Sequence, residues 1–394
     1  DGMVQRFTLA DGRVAHRGRL VRTRKLVEDA AAGAFRTPAF GLAGRPDALV
    51  RGPDDVNVAN TSVIEHGGRV LALWEGGSAH ALDAATVDTV GPVTWQDGWE
   101  QVPFSAHPKL DPQGTLWNFG SAGELAFFYE VGPDGRLVRG QAGRFGVPAG
   151  MAHDFAVTER YFVVPLPPVA LDIGAVTRGE PAERAFPWNP AEPLRIWVGE
   201  KADVSRSRVF ELPAEVVFHV GNAYERDART IVLSYVGSAN NGFLQDDARR
   251  VIRGDLVERG GHHADAWQLE LDLANGTVRR TPLLSRTEFP RVHPHRVGRA
   301  ARQLLAPAAW RDHEGRPGYW FHGLALLDVE SGRLQRYDYG RDCAVEEHLL
   351  VPKPGGRDEL DAWVLGTSFD ARARVTQLAV FEARALADGP LAVA

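Results

Sequence analysis

The feature that most constrains this 394-residue chain is a hairpin written several times into it. Residues 82–91 (LDAATVDTVG), 271–280 (LDLANGTVRR) and 327–336 (LDVESGRLQR) each join an apolar run to an aspartate, a short polar turn and a second run. Residues 129–139 (YEVGPDGRLVR) vary the same plan, and glycine usually supplies the unusual φ the turn needs. Further β-type runs lie at 69–75, 125–131, 160–165, 195–199, 230–236, 267–273, 324–329 and 362–368. Gly, Pro, Asn and Asp punctuate them, and helical periodicity is scarce, with a short helix expected only over 299–306. The copies at Asp272 and Asp328 stand 56 residues apart. Antiparallel units of about 50 residues suit the blades of a β-propeller, of which the chain would hold seven or eight. A pair of β-sandwiches is the competing all-β arrangement.

Composition narrows the function. A net charge of −6 leaves no basic footprint for nucleic acid. The single cysteine, Cys343, excludes an intrachain disulfide framework and a multi-cysteine metal site, and fits a cytoplasmic setting. The most apolar stretch, 163–176, is broken by Pro165, Pro167, Pro168 and Asp172 and is too short to span a bilayer.

Chemistry concentrates at three histidines. His107 lies in SAHPKLDP, His153 in MAHDFAVT and His219 in VFHVGNAYE, at separations of 46 and 66 residues. One such residue per blade would bring neutral imidazoles together, a donor set suited to iron, zinc or copper. Spacing does not choose the metal, and each histidine taken alone also suits a hydrogen-bonded turn. His262, His263, His293 and His295 are expected in loops or on the surface.

On these motifs and others in order, the chain resembles the carotenoid cleavage oxygenases. The resemblance starts at DGMV (1–4), Asn60-Thr61 and LWEGG (73–77), then takes in HPKLDP (107–112), HDFAVT (153–158) and FHVGNAYE (218–225). It closes with EFPR (288–291) and EHLLVP (347–352). It implies one domain over 1–394, a seven-bladed β-propeller capped by loops and short helices. It also implies Fe(II) held by four histidines, the first three matched by His107, His153 and His219. Glu75, Glu288 and Glu347 match carboxylates that accept the ligands' other ring N–H, which fixes the tautomer and raises ligand basicity. The fourth histidine is expected beyond Ala394, with both ends of the family pattern lacking. His322 precedes Glu347 and so falls in the wrong order to replace it.

The activity implied is cleavage of a C=C bond with O2 into two carbonyl products. Members that cleave phenolic stilbenes carry a lysine where this chain has Trp74; an indole instead suits an apolar polyene. Phe218 and Phe289 adjoin site residues and are expected to line the same apolar cavity. Contact with a membrane surface would follow from such a substrate. Two other classes remain open at this point: a non-catalytic propeller that binds a polyene or a protein, and a metal-dependent hydrolase. The latter class favours carboxylate-rich calcium sites, unlike this imidazole-rich set.

Overall fold

The computed structural model describes residues 1–394 except 40, 46, 47, 49, 244–252, 254–262, 311–320 and 341. His262 lies outside the described residues. The chain folds as two compact units. One comprises Asp1–Asp154, Val169–Asn189 and Asp203–Arg206; the other comprises Phe155–Pro168, Pro190–Ala202 and Ser207–Ala394.

The first unit opens with an antiparallel hairpin, β1 (Met3–Ala10) with β2 (Arg13–Leu20). Helix α1 (Arg24–Ala32) follows, capped by the Thr23 side chain accepting from the Leu26 N–H and ended by Gly33 in the left-handed region. Two four-stranded sheets complete it. The first joins β3 (Ser62–His66), β4 (Arg69–Leu73), β5 (His80–Leu82) and β6 (Thr89–Pro92). The second joins β7 (Lys109–Leu110), β8 (Leu116–Ala122), β9 (Leu125–Val131) and β10 (Leu137–Arg144). Leu71, Leu73, Phe104, Leu116, Tyr129 and Val131 form the core these two sheets share. The segment Val169–Asn189 adds the short helix α2 (Ile173–Thr177).

The second unit holds four sheets. These are β11 (Ala156–Val157), β12 (Tyr161–Leu166), β13 (Leu194–Glu200) and β14 (Ser207–Leu212); then β15 (Val216–Glu225), β16 (Thr230–Ser238), β17 (Ala264–Asp272) and β18 (Val278–Leu284). A three-stranded sheet follows, β19 (Gln303–Ala308), β20 (Gly323–Asp328) and β21 (Leu334–Asp338). The last sheet is β22 (Cys343–Pro352), β23 (Ala362–Asp370), β24 (Val375–Glu382) and β25 (Pro390–Val393). Ile196, Phe210, Leu233, Tyr235 and Leu269 are buried between the first two of these sheets, and Leu305, Leu326, Val364 and Phe381 between the last two.

Every sheet is a meander in which strands adjacent in sequence pair antiparallel, the blade unit of an all-β propeller fold. Besides the two-stranded β1–β2 hairpin, the described residues form six such sheets of three or four strands, not the seven blades expected. The resemblance implied seven, and dividing the whole chain by one blade length gave seven or eight. The stretch before Ser62 goes instead into a hairpin, a helix and loops, with Val4 and Val21 packed on Ala72 and Leu82 of the first sheet. A second correction concerns 299–306. The expected helix is absent, and β19 begins at Gln303 with all six of its residues buried. Pairing with β20 across the sheet overrode the local pattern. No described helix is long and apolar enough to cross a membrane.

The repeated hairpin has a local cause. Asp83 accepts from the backbone N–H of Ala85 at 2.9 Å and Thr86 at 2.7 Å, and Asp272 from Ala274 at 2.8 Å and Asn275 at 3.0 Å. Asp328 does the same with Glu330 at 3.2 Å and Ser331 at 2.9 Å. A fourth copy, with Phe369 where the other three have leucine, sits at Asp370, accepting from Arg372 at 2.8 Å and Ala373 at 2.9 Å. Four residues after each aspartate the chain enters the left-handed region, at Val87 (φ 64°), Gly276 (71°), Gly332 (72°) and Arg374 (57°). Glycine meets that demand without a Cβ penalty in two copies; in the others the aspartate's hydrogen bonds hold the turn.

Candidate metal centre

His107 and His153 both lie in irregular chain, the first just ahead of β7 and the second between β10 and β11. His219 lies on β15, where the pairing with β16 shifts register between Val217 and Val220. Such a bulge re-aims a side chain that a regular pleat would send elsewhere. His107 and His219 are buried and His153 is nearly so. Nε2 of His107 and Nε2 of His153 are 3.0 Å apart.

The outer ring nitrogens are committed elsewhere. Nδ1 of His153 meets Oε1 of Glu75 at 2.7 Å, in the turn after β4, and the Thr61 hydroxyl donates to the same carboxylate at 3.2 Å. Nδ1 of His219 meets Oε2 of Glu288 at 2.6 Å, in the loop after β18. A carboxylate is acceptor-only when ionised, so each Nδ1 carries the proton and each Nε2 is left with its lone pair. Burial alone would push the Glu75 carboxyl up; the His153 ring, its hydrogen bond, a backbone N–H and Thr61 together outweigh it and hold the carboxyl below the usual range. Imidazoles that present Nε2 as the donor atom suit a borderline divalent ion such as Fe(II). Two nitrogens sharing one such ion at about 2.1 Å and about a right angle stand about 3 Å apart, so the His107–His153 spacing fits.

The third expected carboxylate behaves differently. Glu347, on β22, forms an ion pair with Nε of Arg291, and the structure pairs it with no histidine among the described residues. Arg291 belongs to the EFPR motif, but nothing local in the sequence joins it to a residue 56 positions on.

The aromatic residues expected beside the site are all half-buried. The Phe289 ring lies 4.6 Å from that of His219, and Phe289 adopts φ 53°, a conformation bulky residues rarely take. Phe218 stands 6.4 Å from the same imidazole. Trp74 bridges Phe104 at the end of β4, immediately before Glu75.

Five other histidines hold structural positions or face solvent. His322 accepts from the Trp310 N–H at 3.1 Å and pairs with Asp338 at 3.2 Å, so it is a structural residue. His293 is in a loop as expected but is buried, not on the surface: its side chain accepts from the His295 N–H and starts a short turn. His263 and His295 are exposed. His348, given no role in advance, is fully buried on β22, with Nδ1 on the Glu346 carbonyl at 2.8 Å and Nε2 on the Tyr339 hydroxyl at 3.0 Å. Sequence reasoning also passed over Lys109, one of only four lysines in a chain with 45 basic residues. Its nearness in sequence to His107 was the available signal.

Comparison with known proteins finds relatives over the whole chain. A family model described as retinal pigment epithelial membrane protein matches residues 1–394. Apocarotenoid-15,15'-oxygenase of Synechocystis is 30% identical, over 98% of this chain and 80% of its own. Lignostilbene-α,β-dioxygenase isozyme III of Sphingomonas paucimobilis is 27% identical, over 99% of this chain and 82% of its own. The crystal structure of the cobalt-substituted Synechocystis apocarotenoid oxygenase superposes with a TM-score of 0.84 at 27% identity, covering 100% of this chain and 84% of that one.

Proposed function

The chain belongs to the carotenoid cleavage oxygenase family, and from that premise we propose that it is an Fe(II)-dependent dioxygenase cleaving one C=C bond of an apocarotenoid or carotenoid. The reaction is R–CH=CH–R′ + O2 → R–CHO + R′–CHO, which balances without a further reductant. The observation that carries the proposal is the 3.0 Å approach of Nε2 of His107 to Nε2 of His153, with Nδ1 of His153 tied to Glu75 and Nδ1 of His219 to Glu288.

His107, His153 and His219 would hold the iron. When bound, iron supplies the redox chemistry by which O2 adds across the alkene. The protein's own part is to bind, orient and keep dry. Glu75 and Glu288 keep their histidines in one tautomer and one orientation. Phe289 and Phe218 present apolar surface beside His219, and such surface favours a polyene by about 25 cal/mol per Å² removed from water.

Trp74 supports the polyene over a phenolic stilbene. A phenolate in an apolar cavity needs a charged partner, because an unpaired buried charge is strongly disfavoured, and an indole cannot supply one. Relatives named for lignostilbene and isoeugenol give the phenolic alkene as the second reading. The test is to incubate Fe(II)-loaded protein under O2 with an apocarotenal and with 4-hydroxystilbene, and to follow aldehyde formation. Cleavage of the apocarotenal is expected, with the stilbene nearly untouched. Faster stilbene cleavage would overturn the substrate, and no turnover of either by iron-replete protein would overturn the catalytic function.

A further inference from the structure

His107 and His153 come from segments 46 residues apart, and neither sits within a regular strand that would hold it. Their Nε2 atoms nevertheless stand 3.0 Å apart, a separation at which two lone pairs repel unless a proton or a cation lies between them. Something other than secondary structure must keep the two segments together.

Two contacts do so. Lys109, two residues after His107, donates from Nζ to Oδ1 of Asp154, the residue directly after His153, at 2.7 Å. The side chains are 10% and 3% exposed, so this is a buried ion pair. Ser105, two residues before His107 and also buried, accepts from the His107 N–H at 3.3 Å and donates to the His153 carbonyl at 3.4 Å. The contacts flank the histidines on both sides. We propose that Lys109, Asp154 and Ser105 are positioning residues, a clamp that sets the His107–His153 spacing before metal arrives and so governs how tightly and in what geometry the ion is held. The clamp rests on the metal site proposed above.

The electrostatics suit this role. A buried lysine beside a cation site would oppose metal binding, but paired with Asp154 it brings no net charge. A buried ion pair is also weak evidence for a stabilising role, because apolar residues of similar volume often replace one at little cost in stability. What such a pair provides is direction: the contact ties the residue two after His107 to the residue directly after His153. Of the four lysines, three are buried (Lys25, Lys109 and Lys201), and Lys109 is the one next to a candidate ligand.

The test uses cobalt(II) as the probe, read by its visible absorption spectrum and by its release to excess chelator, with far-UV circular dichroism to follow the fold. The variants are K109M/D154L, which removes both charges together, K109R, which restores the pair, and S105A. The double variant is expected to release cobalt about ten-fold faster or more, with an altered spectrum, as loss of outer contacts to metal ligands does elsewhere. K109R is expected to stay within about two-fold of the wild type on the same scale. S105A should fall between them, and it carries the test where the double variant does not fold. Wild-type release and spectrum in the double variant, or in S105A where it stands in, would overturn the clamp, as would K109R behaving like the double variant. Failure of the wild-type protein itself to bind cobalt would instead overturn the metal site.

Discussion

The carboxylate of Glu288 meets Nδ1 of His219 at 2.6 Å although 69 residues separate them in the chain. The contact leaves Nε2 as the only nitrogen of that ring able to donate a lone pair. Replacing Glu288 by glutamine keeps the shape and removes the charge, and the amide can present its NH2 where the carboxylate oxygen accepted. Glu288→Gln is therefore expected to weaken iron retention by about 10- to 100-fold with the fold intact. Metal analysis after dialysis against a graded chelator measures it, and unchanged retention would reject the role given to Glu288.

Gly366, on β23, faces His348 across the sheet in direct register. A Cβ at this position would overlap the imidazole ring of His348. The ring cannot retreat, since both its nitrogens are hydrogen-bonded and it is fully buried. Gly366→Ala should cost about 1–3 kcal/mol or more of stability, the range for overpacking a tight core. Urea unfolding measures it. A shift in midpoint too small to resolve would show that β23 gives way easily.

His348 also makes stability depend on pH. Burial pushes its pKa down to about 4, against about 6.5 in the unfolded chain. The unfolded state thus takes up the proton first as pH falls. The stability contributed by the neutral buried ring is fully present above pH ~6.5 and is lost between about 6.5 and 4, up to about 3 kcal/mol. Unfolding free energies at pH 7.5 and 5 are expected to differ more in the wild type than in His348→Gln. Equal differences in the two proteins would place the pH dependence elsewhere.

Arg374 occupies the left-handed position of the fourth hairpin and is exposed. An L-residue there costs about 1–2 kcal/mol, against a glycine entropy cost of about 0.5–1 kcal/mol. Arg374→Gly should raise stability by up to about 1 kcal/mol, whereas Asp370→Ala, which strips the turn of its backbone acceptor, should lower it by about as much. A thermal melt of the two variants checks the opposite signs. Destabilisation by the glycine would mean the arginine side chain contributes more than the turn geometry reveals.

The sequence by itself determined what is local. An aspartate and the four residues after it suffice to build each hairpin, since the carboxylate bonds to backbone N–H groups two and three positions on. The all-β class and three of the four copies were therefore legible, and the copy at Asp370 was hidden because Phe369 stands where the other three have leucine and its turn holds no glycine. The ordered motifs marked His107, His153 and His219 as ligand candidates and Glu75 and Glu288 as their partners. Tertiary structure alone decided the rest. Blade number depends on which strands find neighbours, so the stretch before Ser62 forms a hairpin and a helix in place of a blade. Residues 303–306, part of the stretch 299–306 read locally as helix, became part of a buried strand once β20 offered hydrogen bonds. Glu347 took Arg291 as its partner, and Lys109 took Asp154. Those pairings join residues 56 and 45 positions apart, and a charge shielded wholly or in part selects whatever complementary group the fold brings within reach. No pattern along the chain encodes that choice, because it is made by distance in space.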